Sequence, residues 1–189
     1  AEAAVPTDWR VVAEPQSGYA RFTVLHGERV VGDVEWGTLG RHNAENALAA
    51  LVAAVHAGVD EQAALEALRR FGGVRRRLEV RGTVDGVVVY DDFAHHPTAI
   101  ATTLEGVRRK AGSGRVVAVL EPRSNTMKLG THKAALADSL RAADRVYVYQ
   151  SPEVKWDVAD AMRTLGPLAV VHSDLAQLTA ALVGEARPG

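Results

Sequence analysis

Short apolar runs separated by turn residues open the chain. They lie at residues 9–14, 20–26 and 29–36, and turns that contain glycine connect them. Runs of this length that are rich in Val, Phe, Trp and Thr are typical of β-strands, and short turns between them favour antiparallel pairing. The pattern therefore predicts a three-stranded antiparallel meander.

The apolar spacing then changes to that of a helix. One apolar stripe begins just after Asn43, and its members are Ala44, Ala47, Leu48, Leu51, Val52 and Val55. Gly58 follows where a helix is expected to end. Asp60 can cap a second helix, whose apolar residues are Ala64, Leu65, Leu68 and Phe71. These signals predict two amphipathic helices after the meander.

A change of composition at residues 72–77 predicts a domain boundary. The segment Gly72-Gly73-Val74-Arg75-Arg76-Arg77 joins two glycines to three adjacent cations, so it continues neither a helix nor a strand. We therefore expect one unit at residues 1–74 and a second unit at residues 75–189.

The second unit alternates strands with helices. Asp85-Gly86 is a strong hairpin signal between strands at residues 78–84 and 86–91. After the hairpin the pattern predicts helices at about 98–110, 132–143, 154–164 and 174–184, and strands at 115–120, 145–149 and 168–171. Such alternation is typical of a parallel sheet covered by helices, so the predicted fold class is α/β with a mostly parallel sheet.

The stretch from Val87 to Thr98 joins a strand to a helix through a polar loop. Val87-Val88-Val89-Tyr90 is the unbroken apolar run expected of a buried parallel strand. Two carboxylates and two imidazoles follow it, and Pro97-Thr98 suits the first turn of a helix. Ligands of open α/β sheets bind where strands end and helices begin, so this stretch is a candidate site.

In this unit, each apolar strand that leads into a helix ends in a polar loop. They lie at residues 91–96, 121–128, 150–156 and 172–174. Because the carboxyl ends of parallel strands meet at one edge of a sheet, we expect these loops to form one concave polar rim. The sequence therefore predicts a ligand-binding α/β domain whose site lies at that rim.

The composition argues against several other classes of protein. Of the 189 residues, 47% are apolar and 24% are charged, as in ordinary globular proteins, and the net charge is −1. A nearly neutral chain has no electrostatic reason to bind nucleic acid or an anionic membrane. No apolar run can span a bilayer, no export signal is visible, and the lack of cysteine fits a reducing compartment. We therefore expect a cytoplasmic protein with no nucleic-acid or membrane partner.

Three groups of residues in the chain have alternative interpretations. The first group is Asp91, Asp92, His95 and His96. It could ligate a divalent metal ion, hold a ribose or a phosphate, or merely cap the next helix. The second group, Arg75-Arg76-Arg77, could bind phosphate oxygens bidentately or be a solvated charge run. The third group is His42, Asn43 and Asn46, at the start of a helix, where asparagine can match an adenine edge or act as a cap.

The loop at residues 121–128 is densely polar. Arg123 and Lys128 could receive the carboxylates of an acidic substrate, and the alternative is a solvated loop. Residues that could orient such a substrate are Ser124, Asn125 and Thr126. Gln150 and Lys155 are weaker candidates, and Trp156 is expected to be a packing residue. The sequence has neither a phosphate loop of the Gly-x-x-x-x-Gly-Lys-Ser/Thr type nor a Gly-x-Ser-x-Gly elbow.

Taken together and in this order, four segments resemble the Mur ligase family, whose members are ATP-dependent enzymes that form amide bonds in peptidoglycan precursors. The segments are Gly40–Asn46, Arg77–Glu79, Asp91–Thr98 and Glu121–Gly130. The last segment is most similar to that of members that recycle peptidoglycan by joining UDP-N-acetylmuramate to L-alanyl-γ-D-glutamyl-meso-diaminopimelate. Members that use L-alanine typically carry a Gln-Pro-His-Arg-Tyr-type run there instead.

The resemblance implies that the chain is the C-terminal portion of a three-domain enzyme. Residues 1–74 are then the strand-and-helix tail of the central ATP-binding α/β domain, and residues 75–189 are the complete, Rossmann-like C-terminal domain. The UDP-sugar domain is expected to be missing. So is the part of the central domain that carries the phosphate loop and the main Mg²⁺ ligands, and the fragment alone is expected to be inactive.

The resemblance also implies residue roles and cofactors. ATP and Mg²⁺ are the expected cofactors, and no metal ligand is assigned within this chain. His42, Asn43 and Asn46 would face adenine, Arg77 the phosphates, and Asp92 the ribose. His95 and His96 would lie near the reacting groups, and the acidic tripeptide would be received by Arg123, Ser124, Asn125, Thr126 and Lys128. Closure of the C-terminal domain over the central one would bring the two sets together.

The implied reaction forms an acyl phosphate on the muramyl carboxylate, which the free amine of the peptide then attacks. Three alternatives stay open. The first is a fragment of UDP-N-acetylmuramate–L-alanine ligase. The second is a metal-dependent phosphoesterase that uses the Asp-Asp-His-His group with Glu121 and Asp174. The third is a nucleotide- or peptide-binding module without turnover.

Overall fold

The structure is a computed structural model that describes residues 8–37 and 39–188. It divides into two compact units, at residues 1–75 and 76–189. Each unit has its own cluster of buried apolar side chains.

The first unit is an antiparallel sheet with two helices. Its strands are β1 (Trp9–Ala13), β2 (Arg21–His26) and β3 (Arg29–Glu35), and a 3₁₀ turn lies at Pro15–Ser17. Both strand pairs are antiparallel, in the order β1-β2-β3. The helices are α1 (Arg41–His56) and α2 (Glu61–Arg69). The predicted meander and both predicted helices are confirmed.

The helical signals of the first unit are correct except at one end. Asp60 caps α2, because its Oδ1 atom accepts the backbone N–H groups of Gln62 and Ala63, both at 3.0 Å. Phe71 was expected on the apolar stripe of this helix, and that expectation is wrong. The helix ends at Arg69, so Phe71 lies beyond it and is 42% exposed.

The second unit combines a hairpin, a parallel sheet and helices. The hairpin consists of β4 (Glu79–Val84) and β5 (Val87–Asp91). The parallel sheet has the order β6-β7-β8, with β6 at Val117–Leu120, β7 at Arg145–Tyr149 and β8 at Ala169–His172. The helices are α3 (Pro97–Ala111), α4 (Asn125–Lys128), α5 (Lys133–Ser139), α6 (Val158–Met162) and α7 (Leu175–Glu185), with a 3₁₀ segment at Arg163–Leu168.

The prediction that Val87–Tyr90 forms a buried parallel strand is wrong. Within the described residues β5 pairs only with β4, and its Val88 and Val89 are 42% and 51% exposed. The pairing is antiparallel because Asp85 and Gly86, with φ of 47° and 78°, form the predicted two-residue turn. An apolar run of β-branched residues favours a strand but does not select its partner.

The core of the second unit lies beside the parallel sheet. Val146 and Val148 of β7 are buried in one cluster with Leu136 and Leu140. The strand bounds of β7 agree with the sequence analysis residue for residue. Two predicted helices are shorter than expected: α5 ends at Ser139, and the helix expected at 154–164 is the short α6 followed by the 3₁₀ segment.

Candidate functional site

The carboxyl ends of β6, β7 and β8 meet at one edge of the sheet. The strands are parallel and in register, with Leu120 beside Val148 and Tyr149 beside His172. The loops that follow these strands therefore leave the sheet on the same side, which we call the carboxyl edge. Residues 91–96 were expected at the same edge; they follow a strand of the hairpin rather than of this sheet, but the loop contacts the segment after β6 through His96 and His132.

The segment after β6 contains one turn of helix rather than the expected loop. Ser124 caps this helix, α4, because its Oγ atom accepts the backbone N–H of Met127 at 3.3 Å. The same Oγ atom lies 3.2 Å from Oγ1 of Thr126. Arg123, Asn125 and Thr126 are exposed at this turn, and Met127 is buried beneath it. Four of the predicted substrate-binding residues after β6 thus lie on or cap one short turn, and Arg123 immediately precedes it.

The segments after β6 and β7 contact each other. Lys128 of α4 forms an ion pair with Glu153, and the indole N–H of Trp156 donates to the carbonyl oxygen of Met127 at 2.8 Å. Trp156 also packs against the core, as the sequence analysis expected. Glu153 was not singled out from the sequence, and its only signal was its place in the polar loop at 150–156.

Cations dominate the surroundings of Glu153. The pKa of its carboxyl is held below its ordinary value, first by the hydrogen bond and charge of Lys128 and then by the charges of Arg123 and Lys155. Three cations from two loops therefore face one carboxylate, and this arrangement suits an anionic ligand.

An open cleft of about 590 Å³ lies at the ends of β7 and β8. Its lining residues are Gln150, Ser151, Pro152, Val154, Lys155, Trp156, Asp157 and Ser173. The backbone N–H of Gln150 donates to the carbonyl of His172 at 2.8 Å, so the two loops that form the cleft are joined. The carboxyl edge thus carries a polar depression next to its cations.

A second set of predicted residues lies where residues 76–78, before β4, meet residues 91–96, after β5; we call this region the corner. Asp92 accepts the backbone N–H groups of Leu78 and Ala94, each at 2.8 Å, and the hydroxyl of Thr103 at 3.3 Å. The N–H of Phe93 donates to the carbonyl of Arg76 at 2.8 Å. These bonds tie the start of β4 to the loop that follows β5, where Asp92 lies.

The arginine side chains of this corner face the same loop. The guanidinium carbons of Arg76 and Arg77 lie 5.2 and 5.8 Å from the centroid of the Phe93 ring, which is cation–π geometry. Nε of Arg76 also lies 3.4 Å from Oδ2 of Asp91. The two adjacent aspartates therefore differ, because Asp91 faces a cation while Asp92 binds mainly backbone amides.

The two predicted catalytic histidines lie on this loop as well. Nδ1 of His95 lies 2.9 Å from the carbonyl oxygen of Phe93. His96 is the N-cap residue of α3, and its Nδ1 accepts the N–H of Thr98 at 3.4 Å. The ring of His96 meets that of His132 edge to face, with centroids 4.3 Å apart. No sequence signal distinguished His132, which precedes α5.

The aspartate and histidine side chains do not converge as metal ligands do. Over residues 8–37 and 39–188, no group of three or more His, Cys, Asp or Glu side chains is placed to hold a metal ion. Asp91 and Asp92 are instead engaged by Arg76 and by backbone amides. The geometry therefore gives no support to the metal-dependent phosphoesterase alternative.

The remaining predicted residues lie in the first unit, on the first turn of α1. The side-chain amide of Asn43 donates to the carbonyl of Leu39 at 2.6 Å, which ties it to the preceding segment but is not a capping bond, because the N-cap residue of α1 is Gly40. His42 is half-buried, whereas Asn46 is exposed. The structure thus brings His42, Asn43 and Asn46 together within one turn.

The described helices include no candidate for a membrane span. Within the described part of the chain, none is both long enough and apolar enough.

Comparisons with known proteins identify the family. The family described as "Mur ligase, glutamate ligase domain" matches residues 76–189, which is more than half of the chain. This chain belongs to the Mur ligase family. The expected family and α/β fold are thereby confirmed for the Mur ligase chain.

Several relatives are similar over nearly all of this chain. UDP-N-acetylmuramate–L-alanyl-γ-D-glutamyl-meso-2,6-diaminoheptandioate ligase from Haemophilus influenzae is 45% identical over 170 residues, which are 89% of this chain and 38% of the relative. The ligase of the same name from Escherichia coli is 48% identical over 167 residues, 88% of this chain and 36% of the relative. The crystal structure of a murein peptide ligase from Psychrobacter arcticus superposes with a TM-score of 0.65 at 36% identity, covering 96% of this chain and 39% of that one. The chain thus spans less than two fifths of the length of these curated relatives.

Proposed function

We propose that this chain is the C-terminal portion of an ATP-dependent ligase that joins UDP-N-acetylmuramate to L-alanyl-γ-D-glutamyl-meso-diaminopimelate during peptidoglycan recycling in the cytoplasm. The observation that carries the proposal is the set of cations at the carboxyl edge, where Arg123 precedes the capped turn that carries Lys128, and both act with Lys155 on Glu153. An acidic peptide has the charge that such a surface binds. The relatives that are 45% and 48% identical to this chain are named for this same tripeptide, which supports the choice of substrate.

The first unit is proposed to be the C-terminal part of the ATP-binding domain. Asn43 and Asn46 offer the amide donors and acceptors that fit an adenine edge, and His42 lies on the same turn. One side-chain N–H of Asn43 donates to the carbonyl of Leu39, so its second N–H and its carbonyl oxygen can still bond to a base. The main Mg²⁺ ligands are proposed to lie in the portion of the relatives that this chain does not match.

The corner of the second unit is proposed to serve the rest of the nucleotide. A carboxylate has roughly four lone-pair sites, and Asp92 uses three in bonds to Leu78, Ala94 and Thr103. One site remains for a ribose hydroxyl, so the proposed role is compatible with its contacts. Arg77 is exposed beside Phe93 and offers a planar fork to phosphate oxygens.

The proposed chemistry assigns positioning to this chain. When bound, ATP supplies the phosphoryl group that activates the muramyl carboxylate as an acyl phosphate. The peptide amine then forms the C–N bond, the C–O bond to phosphate breaks with its electron pair on phosphate, and the amine loses a proton. His95 or His96 is proposed to accept this proton, since an imidazole nitrogen is suited to that task.

The residues that would hold the peptide for this step are Arg123, Ser124, Asn125, Thr126 and Lys128. Fixing its carboxylates leaves the free amine aimed at the carbonyl carbon, and such positioning can lower the barrier substantially. The short capped helix that begins just after Arg123 and contains or is capped by the other four supports this role, because a rigid turn loses little conformational entropy when it binds.

The substitution Arg123→Ala tests the proposal in a full-length ligase that carries this chain. A lost charge-assisted hydrogen bond is worth about 1.5–3 kcal/mol, so we expect the KM for the tripeptide to rise roughly 10- to 100-fold while the KM for ATP stays within about twofold. Arg141→Ala is the matched control, because Arg141 is an exposed arginine that pairs with Asp138 on α5.

Three results would contradict the proposal. Equal changes in both KM values would remove Arg123 from the peptide site. Turnover with L-alanine but not with the tripeptide would assign the chain to the L-alanine ligases. Binding of both ligands without any turnover, when the other domains are present, would make it a binding module.

A further inference from the structure

We infer that Lys128 and Glu153 together recognise the free amino-acid end of the diaminopimelate residue. Lys128 would bind the carboxylate of that end, and Glu153 would bind its ammonium group. This inference rests on the proposed function and specifies which part of the peptide the carboxyl edge binds. An amino-acid end carries a carboxylate and an ammonium on one carbon, so a neighbouring cation and anion complement it.

The geometry of the pair suits an exchange with a ligand. Lys128 lies on α4 and Glu153 in the loop after β7, and their side chains are 27% and 67% exposed. Solvent screens a surface ion pair of this kind, so replacing it by two ion pairs to a ligand costs little. Meanwhile the hydrogen bond from Trp156 to Met127 keeps the two segments together.

The charges around the pair complement those of the peptide. Glu153 forms an ion pair with Lys128 and also lies within the electrostatic influence of Arg123 and Lys155. Asp157 lines the neighbouring cleft as well, but its carboxylate caps α6 by accepting the N–H of Asp160. In a peptide linked through the γ-carboxyl of its D-glutamyl residue, three carboxylates remain: one on glutamate and two on diaminopimelate. Besides the reacting amine it keeps a single ammonium group, at the free end of diaminopimelate, so the cations suit its carboxylates and Glu153 suits its ammonium group.

This pairing predicts how the site selects its substrate. A tripeptide with lysine as its third residue keeps the ammonium but lacks the terminal carboxylate, so Lys128 would lose its partner. A tripeptide with 2-aminoheptanedioate keeps the carboxylate but lacks the ammonium, so Glu153 would lose its partner. Each loss is specific to one member of the pair, and the two can be separated experimentally.

Calorimetric titration of the 189-residue chain with these three peptides tests the inference without requiring turnover. For the Glu153→Gln variant we expect the Kd of the diaminopimelate peptide to rise about tenfold, while the Kd of the 2-aminoheptanedioate peptide changes less than about twofold. For Lys128→Gln we expect the same rise with the diaminopimelate peptide and little change with the lysine peptide. Asp138→Asn is the matched control, because Asp138 is 69% exposed, lies on α5 rather than in either loop and pairs with Arg141.

Other outcomes separate this inference from the proposed function. If Glu153→Gln tightens the binding of all three peptides, the carboxylate competes with the ligand and the inference is overturned. If the variants change the three Kd values equally, or if none of the peptides binds, it is also overturned. The proposed function fails separately, when a full-length ligase that carries the wild-type chain turns over none of these peptides with UDP-N-acetylmuramate.

Discussion

The indole N–H of Trp156 donates a 2.8 Å hydrogen bond to the carbonyl oxygen of Met127. Met127 is buried in the core of the second unit, so this bond fixes the loop after β7 to a turn that is itself anchored. Lys128, the next residue, therefore projects from a backbone with little freedom. The placement of the two segments at the candidate peptide site therefore depends in part on this indole.

The substitution Trp156→Phe tests this dependence. Phenylalanine retains much of the apolar packing but cannot donate to Met127, so we expect the free energy of unfolding to fall by about 1 kcal/mol. Urea unfolding followed by circular dichroism measures this change. We also expect weaker binding of the tripeptide. An unchanged free energy of unfolding would mean that the hydrogen bond adds nothing to stability.

Gly130 contacts the same indole and cannot carry a side chain. Its φ is 73°, and a Cβ atom there would lie 2.9 Å from Cδ1 and 3.0 Å from Cγ of Trp156. We expect Gly130→Ala to destabilise the protein by about 1–3 kcal/mol, because the positive φ and the steric overlap both disfavour alanine. Thermal or urea unfolding measures the loss.

Gly58→Ala is the matched control for this substitution. Gly58 follows α1 with the same pattern of backbone hydrogen bonds with which Gly130 follows α4, and it also has a positive φ, 94°, but a Cβ atom there would meet nothing within 4 Å. The difference between the two variants therefore isolates the overlap with Trp156. Equal losses would show that the indole can move away at no cost.

Asp92 and Asp91 are expected to respond differently to the loss of charge. In Asp92→Asn an amide group replaces one of two oxygens that accept the N–H groups of Leu78 and Ala94. One backbone donor then loses its partner, so we expect a loss of about 1–3 kcal/mol in the free energy of unfolding. Asp91→Asn breaks only a partly exposed ion pair with Arg76 and should cost less than about 1 kcal/mol. Chemical denaturation measures the free energy of unfolding of both variants. A larger loss for Asp91→Asn than for Asp92→Asn would contradict this account.

We expect the stability of the protein to depend on pH through the carboxyl group of Asp144. The guanidinium of Arg108, assisted by the N–H of Val116 at 2.7 Å, holds the pKa of this carboxyl below its ordinary value. A carboxyl whose pKa is lowered in the folded state stabilises the protein above its unfolded pKa, and this contribution disappears as the pH falls through the folded pKa. Wild type should therefore be more stable than Asp144→Asn at neutral pH, and the gap should close on acidification.

Urea unfolding of both proteins at a series of pH values measures this gap. Asparagine still accepts the N–H of Val116, so the comparison reports mainly on the charge. A gap that stays constant between neutral and acidic pH would contradict the assignment to Asp144.

Features that depend on neighbouring residues could be predicted from the sequence. Strand β7 has the predicted bounds at both ends because its flanking residues change character sharply. Asp60 and Asp174 cap the helices that they were expected to cap, since capping needs only an acceptor two or three residues ahead of free N–H groups. The Asp85-Gly86 turn was predictable for the same local reason.

Features that depend on distant residues could not be predicted. Helix α4 is a single turn, which is too short to show a helical period. The partner of β5 was misjudged, because an apolar run is compatible with either sheet. The pairing of Lys128 with Glu153 joins two separate loops, and the contact of His96 with His132 joins two helix starts. No spacing along the chain encodes such contacts.

Strands β6, β7 and β8 all point the same way, so the buried apolar core packs along the sheet while the polar connections gather at its carboxyl edge. Proteins with this arrangement can therefore change their ligand specificity when a few side chains in two short connections are exchanged. Such exchanges leave the packing of the buried core unchanged, so a new specificity does not require a new fold.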